Sequence, residues 1–197
     1  MTALIFNCDF NGLALIQELG RRGVDVRALD TVRSVGTVSR YARFHRCPDP
    51  LVAERAFVDF LMELGSAFQS RPVLFPTNDH WAAAVSRHRE ELARLYHPCV
   101  AAWSTVELVI RKDRFARWAE AAGYPVPRSW DAMSYGSVPE DAFPLAAKPI
   151  FRRISSDDAE GTRHAAERER LRLAVFRNRA ELERFSKDHR DRLNDFL

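Results

Sequence analysis

Apolar positions along this chain follow two rhythms. Short runs rich in β-branched and aromatic residues alternate with longer stretches in which apolar residues return every three or four positions. Thr2 to Cys8 predicts a strand centred on Leu4, Ile5 and Phe6, and Asp9-Phe10-Asn11-Gly12 predicts a turn. Leu13, Ile16 and Leu19 then mark a helix that Gly23 stops, and Val24 to Leu29 gives a second strand ending at Asp30. Together they make a βαβ unit. Ala42 to Cys47 predicts another short strand. Asp49 is placed to cap a helix with Pro50 in its first turn and Leu51, Phe57, Leu61 and Leu64 on its apolar face. Val73 to His80 is the stretch that orders the rest: an apolar strand meets Pro76 and opens into Thr77, Asn78 and Asp79 before the next helical pattern. Ligands of open α/β sheets meet the carboxyl ends of strands, so these three residues either touch a ligand or cap the helix that follows.

That helix uses Trp81, Ala84 and Val85, with Arg87 to Glu91 expected mainly in water, and Cys99 to Trp103 predicts an edge strand. A further helix runs from Lys112 through Phe115, Trp118, Ala119 and Ala122 to Gly123. Tyr124-Pro125-Val126-Pro127 then forces an extended link, because a residue before proline disfavours the α region. Phe143 to Pro149 predicts an apolar strand carrying one lysine, Lys148, which either points into a cleft or snorkels to solvent. Ile154 to Gly161 reads as a loop and Leu171 to Phe176 as a strand. Asn178 and Glu181 have capping-box spacing ahead of a stripe of Leu182, Phe185, Leu193 and Phe196, which is expected to be exposed until another segment covers it. The fold class is α/β: a parallel-sheet domain over 1–103, a helical boundary over 104–127, and an incomplete α+β subdomain over 128–197.

Composition narrows the chemistry. A net charge of +3 over 197 residues, with basic positions interleaved among acids, excludes a nucleic-acid stripe. Cys8, Cys47 and Cys99 are odd in number and widely spaced, and His88 and His97 have no ligand cluster beside them, so neither a structural zinc nor another metal site is expected. No stretch reaches membrane-spanning length, and the free thiols fit a reducing compartment; cytoplasm is the expected location. The first loop has one glycine and lacks the GxGxxG pattern of dinucleotide binding, which leaves Asp30 as a turn or cap residue. Ser34 to Tyr41 is a hydroxyl-rich loop in which Arg40 either holds a carboxylate or phosphate or is pinned by local hydrogen bonds.

Phe75-Pro-Thr-Asn-Asp79, Lys112 with Gly123-Tyr-Pro-Val-Pro127 eleven residues later, and Phe143-Pro-Leu-Ala-Ala-Lys-Pro149 occur in an order that resembles the start of ATP-grasp proteins of the carboxylate–amine ligase branch. Ser39-Arg40-Tyr41 and Pro48-Asp-Pro50 add to the resemblance. It implies a Rossmann-like pre-ATP-grasp domain followed by the first, smaller nucleotide-binding subdomain, with Lys112 and Lys148 approaching the ATP phosphates. Ser155, Ser156 and Gly161 fall where a phosphate-covering loop is expected, and Arg40, Thr77, Asn78 and Asp79 become candidate substrate contacts.

The chain also departs from the pattern. Arg111 stands where many relatives have an acid, and residues 178–197 lack the adenine hinge and the Mg²⁺-binding carboxylate and asparagine cluster. Asp191 and Asp195 do not make one. The complete enzyme would use ATP and Mg²⁺ to activate a small carboxylic acid as an acylphosphate for attack by an amine. This chain, with no complete catalytic set, is expected to be inactive alone and to need a C-terminal half or a second copy. The alternative is a noncatalytic small-molecule binding or protein-interaction module.

Overall fold

Five short parallel strands carry the first part of the molecule: β1 (Thr2–Phe6), β2 (Asp25–Asp30), β3 (Ala42–Arg46), β4 (Val73–Pro76) and β5 (His97–Pro98), in spatial order β3-β2-β1-β4-β5. The chain winds outward from β1 through β2 to β3, then crosses back to lay β4 on the other side of β1. The order therefore reverses between β1 and β4, and the loops leaving those two strands flank the crevice where such sheets take ligands. The computed structural model describes residues 1–148, 174–190 and 193. The chain divides into two units, the first being Met1–Glu107 and the second beginning at Leu108.

β1 is buried on both faces because alternate side chains enter different cores. Leu4 and Phe6 join Phe57, Leu61, Leu74, Trp81 and Tyr96. Ile5 joins Ile16, Val26 and Ala28 on the face covered by α1 (Phe10–Arg21). The first core is supplied by α2 (Glu54–Ser66), α3 (Asp79–Arg87) and the single turn α4 (Arg89–Leu92). At its centre Trp81 stacks on Phe6 at 5.5 Å, and Phe57 meets both edge-on at 5.5 and 5.2 Å. Helix α5 (Trp103–Ile110) spans the division between the units.

In the second unit α6 (Lys112–Ala121) is followed by the antiparallel pair β6 (Leu145–Ala147) and β7 (Ala174–Phe176), and by α7 (Arg179–Asp188). Val138, Phe176 and Leu182 form its small core. Gly123, at φ 76°, takes the left-handed conformation that ends α6. Asn178 caps α7 through its side-chain oxygen, which accepts from the Glu181 N–H at 3.0 Å.

Several expectations change. Asp49 accepts from the Leu51 N–H at 2.8 Å and caps a turn, while α2 begins later, at Glu54. The edge strand is His97–Pro98, two residues ahead of the expected Cys99 start, because His97 donates to the Pro72 carbonyl and Cys99 already pairs beyond the strand with Leu74. Arg87, His88 and Glu91 are not simply solvated: Arg87 and His88 both bind the Glu54 carboxylate, and Glu91 binds Arg55, so a charged seam joins α2 to α3 and α4. The Leu182 stripe is inward, not exposed: Leu182 and Leu193 are buried and Phe185 packs on the same cluster, while Phe196 lies outside the described residues. On and just after α6, Phe115, Trp118 and Tyr124 stand 42%, 47% and 59% exposed, with Trp118 tilted on Phe115 at 5.9 Å and stacked on Tyr124 at 5.8 Å; Val109, Met133 and Val175 are exposed elsewhere in this unit.

Candidate functional site

The carboxyl edge of the five-stranded sheet is built by two side chains that tie neighbouring loops together. Asp30, nearly buried at the end of β2, accepts from the Cys8 N–H at 2.8 Å, the Thr31 N–H at 2.8 Å and the Ser34 hydroxyl at 3.0 Å. Its oxygens are thus spent on its own chain, in the turn-forming role the sequence suggests. Thr77, just past β4, places its hydroxyl 2.9 Å from the Phe6 carbonyl and 2.7 Å from the Asn7 carbonyl, bridging the crevice at its base. Asn78 caps α3 by accepting from the Trp81 N–H at 3.2 Å. Asp79, in the first turn of α3, is exposed. Of the three loop residues, Thr77 and Asn78 have structural partners and Asp79 presents its carboxylate outward.

Two thiols lie under this edge. Burial, reinforced by the Asp30 charge, pushes both Cys8 and Cys47 up to about 12, so at neutral pH each is a protonated, inert group. The Cys8 Sγ donates to the Ile5 carbonyl at 3.3 Å.

Arg40 is at the other end of the strands. Ala42, at the start of β3, is level with Val26, Ala3 and Val73. Arg40 precedes the first residue of β3 and Thr77 follows the last residue of β4, so the two lie toward opposite ends of the parallel strands and three strand spacings apart across the sheet. The structure does not bring Arg40 together with Thr77, Asn78 and Asp79. Arg40 instead borders a cleft of about 520 Å³ between α1 and the β2–β3 loop, with Arg21, Leu13, Val35, Val38 and Tyr41. Arg40 Nη2 donates to the Tyr41 hydroxyl at 2.9 Å, and its guanidinium lies 4.9 Å from the Tyr41 ring centre. This hydrogen bond, with a contribution from Arg21, holds the Tyr41 phenol below its ordinary value. Tyr41 is seated by Gly20: a β-carbon there would fall 2.4 Å from Tyr41 Cβ. Sequence reasoning singles out Arg40 and its aromatic neighbour but misses Arg21, whose position in the last turn of α1 carries no signal of its own.

In the second unit Lys112 is the first residue of α6, and Lys148 follows β6 directly; both are exposed. The basic residue before Lys112 is compensated locally: Arg111 grips Asp113 through two contacts at 3.0 and 2.9 Å, and Arg117 reaches the same carboxylate at 3.0 Å. Burial would raise the Asp113 carboxyl, but Arg111 outweighs it and holds the group below the usual carboxylate range. Ser155, Ser156 and Gly161 lie outside the described residues, as do Asp191 and Asp195. Among the described residues no three His, Cys, Asp or Glu side chains are grouped to hold a metal ion, and no helix is long and apolar enough to cross a membrane.

No family model matches the sequence, and comparison with curated proteins returns no match. Solved structures do match. The L-amino acid ligase of Bacillus licheniformis is similar at a TM-score of 0.59 and 17% identity, over 88% of this chain and 43% of its own. N5-carboxyaminoimidazole synthetase from Staphylococcus aureus gives 0.60 and 14%, over 93% and 42%. The biotin carboxylase domain of the Hydrogenobacter thermophilus 2-oxoglutarate carboxylase, crystallised with MgADP, ADP and bicarbonate, gives 0.63 and 16%, over 100% and 43%. At such identities the likeness is one of fold. The chain has the α/β fold, with a Rossmann-like parallel sheet, that the ATP-grasp resemblance implies, and it spans less than half the length of each of these proteins.

Proposed function

We propose that these residues form the N-terminal portion of an ATP-dependent carboxylate–amine ligase: a pre-ATP-grasp domain followed by part of the first ATP-grasp subdomain. The observation that carries this reading is the sequence of folds. A β3-β2-β1-β4-β5 parallel sheet is followed, after α6 and the Pro-flanked link, by a small antiparallel unit bearing Lys148 at the end of its first strand. An L-amino acid ligase, an N5-carboxyaminoimidazole synthetase and a biotin carboxylase domain match over 88%, 93% and 100% of it.

Both lysines suit a nucleotide's phosphates. Each is an exposed ammonium at the end of a regular element, Lys112 opening α6 and Lys148 closing β6. Arg111, the residue before Lys112, is engaged by Asp113. Neutralising charge on transferring oxygens is what such side chains contribute to phosphoryl chemistry. The described residues group no three His, Cys, Asp or Glu side chains that could hold Mg²⁺. In the complete enzyme ATP would supply the phosphoryl group that turns a carboxylate into an acylphosphate. Residues 1–197 would contribute phosphate neutralisation and the crevice beside Asp79, without turnover of their own.

The test is release of ADP and phosphate from ATP–Mg²⁺ by the purified chain across a panel of carboxylic acids and amines. The expected result is no turnover above the protein-free rate. Sustained release that disappears in Lys148→Ala would overturn the noncatalytic part of this proposal and leave the nucleotide assignment standing.

A further inference from the structure

The cleft between α1 and the β2–β3 loop has the chemistry of an anion-binding site. Arg21 and Arg40 both line it beside Tyr41, whose hydroxyl accepts from Arg40 Nη2 at 2.9 Å, so two arginines border one small region. Among the described residues neither forms an ion pair, although neighbouring arginines do: Arg22 pairs with Glu18 and Arg27 with Asp25. Among the described residues no carboxylate lines the cleft, so none of them supplies a counterion to this pair of positive charges. Coulomb repulsion makes such an arrangement unfavourable until an anion joins it, and a carboxylate or phosphate accepts the forked donors of guanidinium groups well. Beside the charges, Val35 and Val38 are 47% and 65% exposed, and Leu13 closes the same wall. Apolar side chains standing next to an uncompensated basic pair match a ligand with a charged head and an aliphatic or aromatic body.

We propose that this cleft binds a small organic anion, its carboxylate or phosphate head held between Arg21 and Arg40 and its apolar body against Leu13, Val35 and Val38. Tyr41 is the positioning residue: its ring backs the Arg40 guanidinium and its hydroxyl accepts from it. Gly20 lets that ring approach α1 closely enough to fix the geometry. The inference stands on the first unit alone and does not depend on the nucleotide reading of Lys112 and Lys148.

The experiment is calorimetric titration of the full chain with three probes of similar body and different heads: 3-methylbutanoate, 3-methylbutyl phosphate and the uncharged 3-methylbutanamide. Binding of either charged probe, with the amide inert, is expected. The acid binding alone assigns a carboxylate head, the phosphate ester alone a phosphate head, and both the shared chemistry. Arg40→Gln and Arg21→Gln should each weaken the charged probe about tenfold, close to the loss of one charge-assisted contact. Arg22→Gln, which removes the same charge from the same helix end, should leave affinity unchanged, as should Lys148→Ala. Circular dichroism confirms that each variant is folded, and Tyr41→Phe, which retains the ring, separates loss of the hydroxyl from loss of the fold. Absence of binding by both charged probes, equal binding of the amide, or affinity indifferent to both arginine substitutions would overturn the proposal.

Discussion

Replacing Thr77 with valine separates a structural strap from a ligand contact. The valine side chain has nearly the same shape, so packing between β1 and β4 is retained while the hydroxyl is lost. That hydroxyl sits 2.9 and 2.7 Å from the Phe6 and Asn7 carbonyls in a half-buried position. Its single proton satisfies one carbonyl at a time, so the loss is one neutral hydrogen bond, together with the desolvation of a carbonyl left without its donor. The expected cost is about 1–2 kcal/mol. Thr77→Ser retains the donor and gives up one methyl group, and should cost less than the valine change. Urea unfolding followed by circular dichroism measures both, and the slope of the transition must stay constant for the comparison to hold. Hydrogen exchange adds a local readout, since amides at the ends of β1 and β4 should lose protection first. A Thr77→Val protein within about 0.3 kcal/mol of the parent would refute the strap, since that is the scale on which unfolded-state effects alone operate. The reverse order, serine worse than valine, would show that the methyl group rather than the hydroxyl holds the edge together.

Three further outcomes test the packing and electrostatics. Burial would raise the Glu54 carboxyl, but Arg87 and His88 outweigh it and keep it below its ordinary value. It therefore contributes stability above its unfolded value that is lost as pH falls through its folded one; Glu54→Gln should cost about 1–2 kcal/mol at neutral pH and flatten stability on acidification below about pH 4.5, measured by urea unfolding across pH. Of the three cysteines, Cys8 and Cys47 are buried with raised pKa values and Cys99 is exposed, so a thiol reagent at neutral pH should modify one residue rapidly and two only on unfolding; mass spectrometry that finds Cys8 labelled in the native protein would contradict this. Gly20→Ala forces a β-carbon against Tyr41 and should destabilise the first unit by about 1–3 kcal/mol despite alanine's better helix propensity, as read by thermal unfolding.

The parts of the fold legible in the sequence are those fixed by local chemistry. β1, α1 and β2 fall almost where their apolar spacing puts them, and Gly23 and Gly123 end helices as expected, because periodicity and a left-handed glycine act within a few residues. Asn78 is a cap for the same reason. What the sequence obscures is spatial. Glu54 and Arg87 are 33 positions apart, so nothing local shows that the polar face of α3 is answered by α2. Arg40 and Thr77 both follow strand-like segments, yet one precedes β3 and the other succeeds β4, and in a parallel sheet those are opposite ends. The stripe of α7 has the pattern of an exposed interface and of a core face equally; only Val138 and Phe176, brought in from elsewhere, decide for the core. Lys112 and Lys148 were found by resemblance, and their geometry places each at an exposed element end in one unit.

The most direct measurement of the central proposal is titration of ATP–Mg²⁺ into the purified chain, with Lys112→Ala and Lys148→Ala alongside. Phosphate neutralisation by two exposed ammonium groups predicts weak binding that declines as salt is raised, falls in both lysine variants and is untouched by Arg40→Gln. Affinity unchanged by either lysine substitution, or no binding at all at low ionic strength, would contradict the account and leave a shared fold without the nucleotide site.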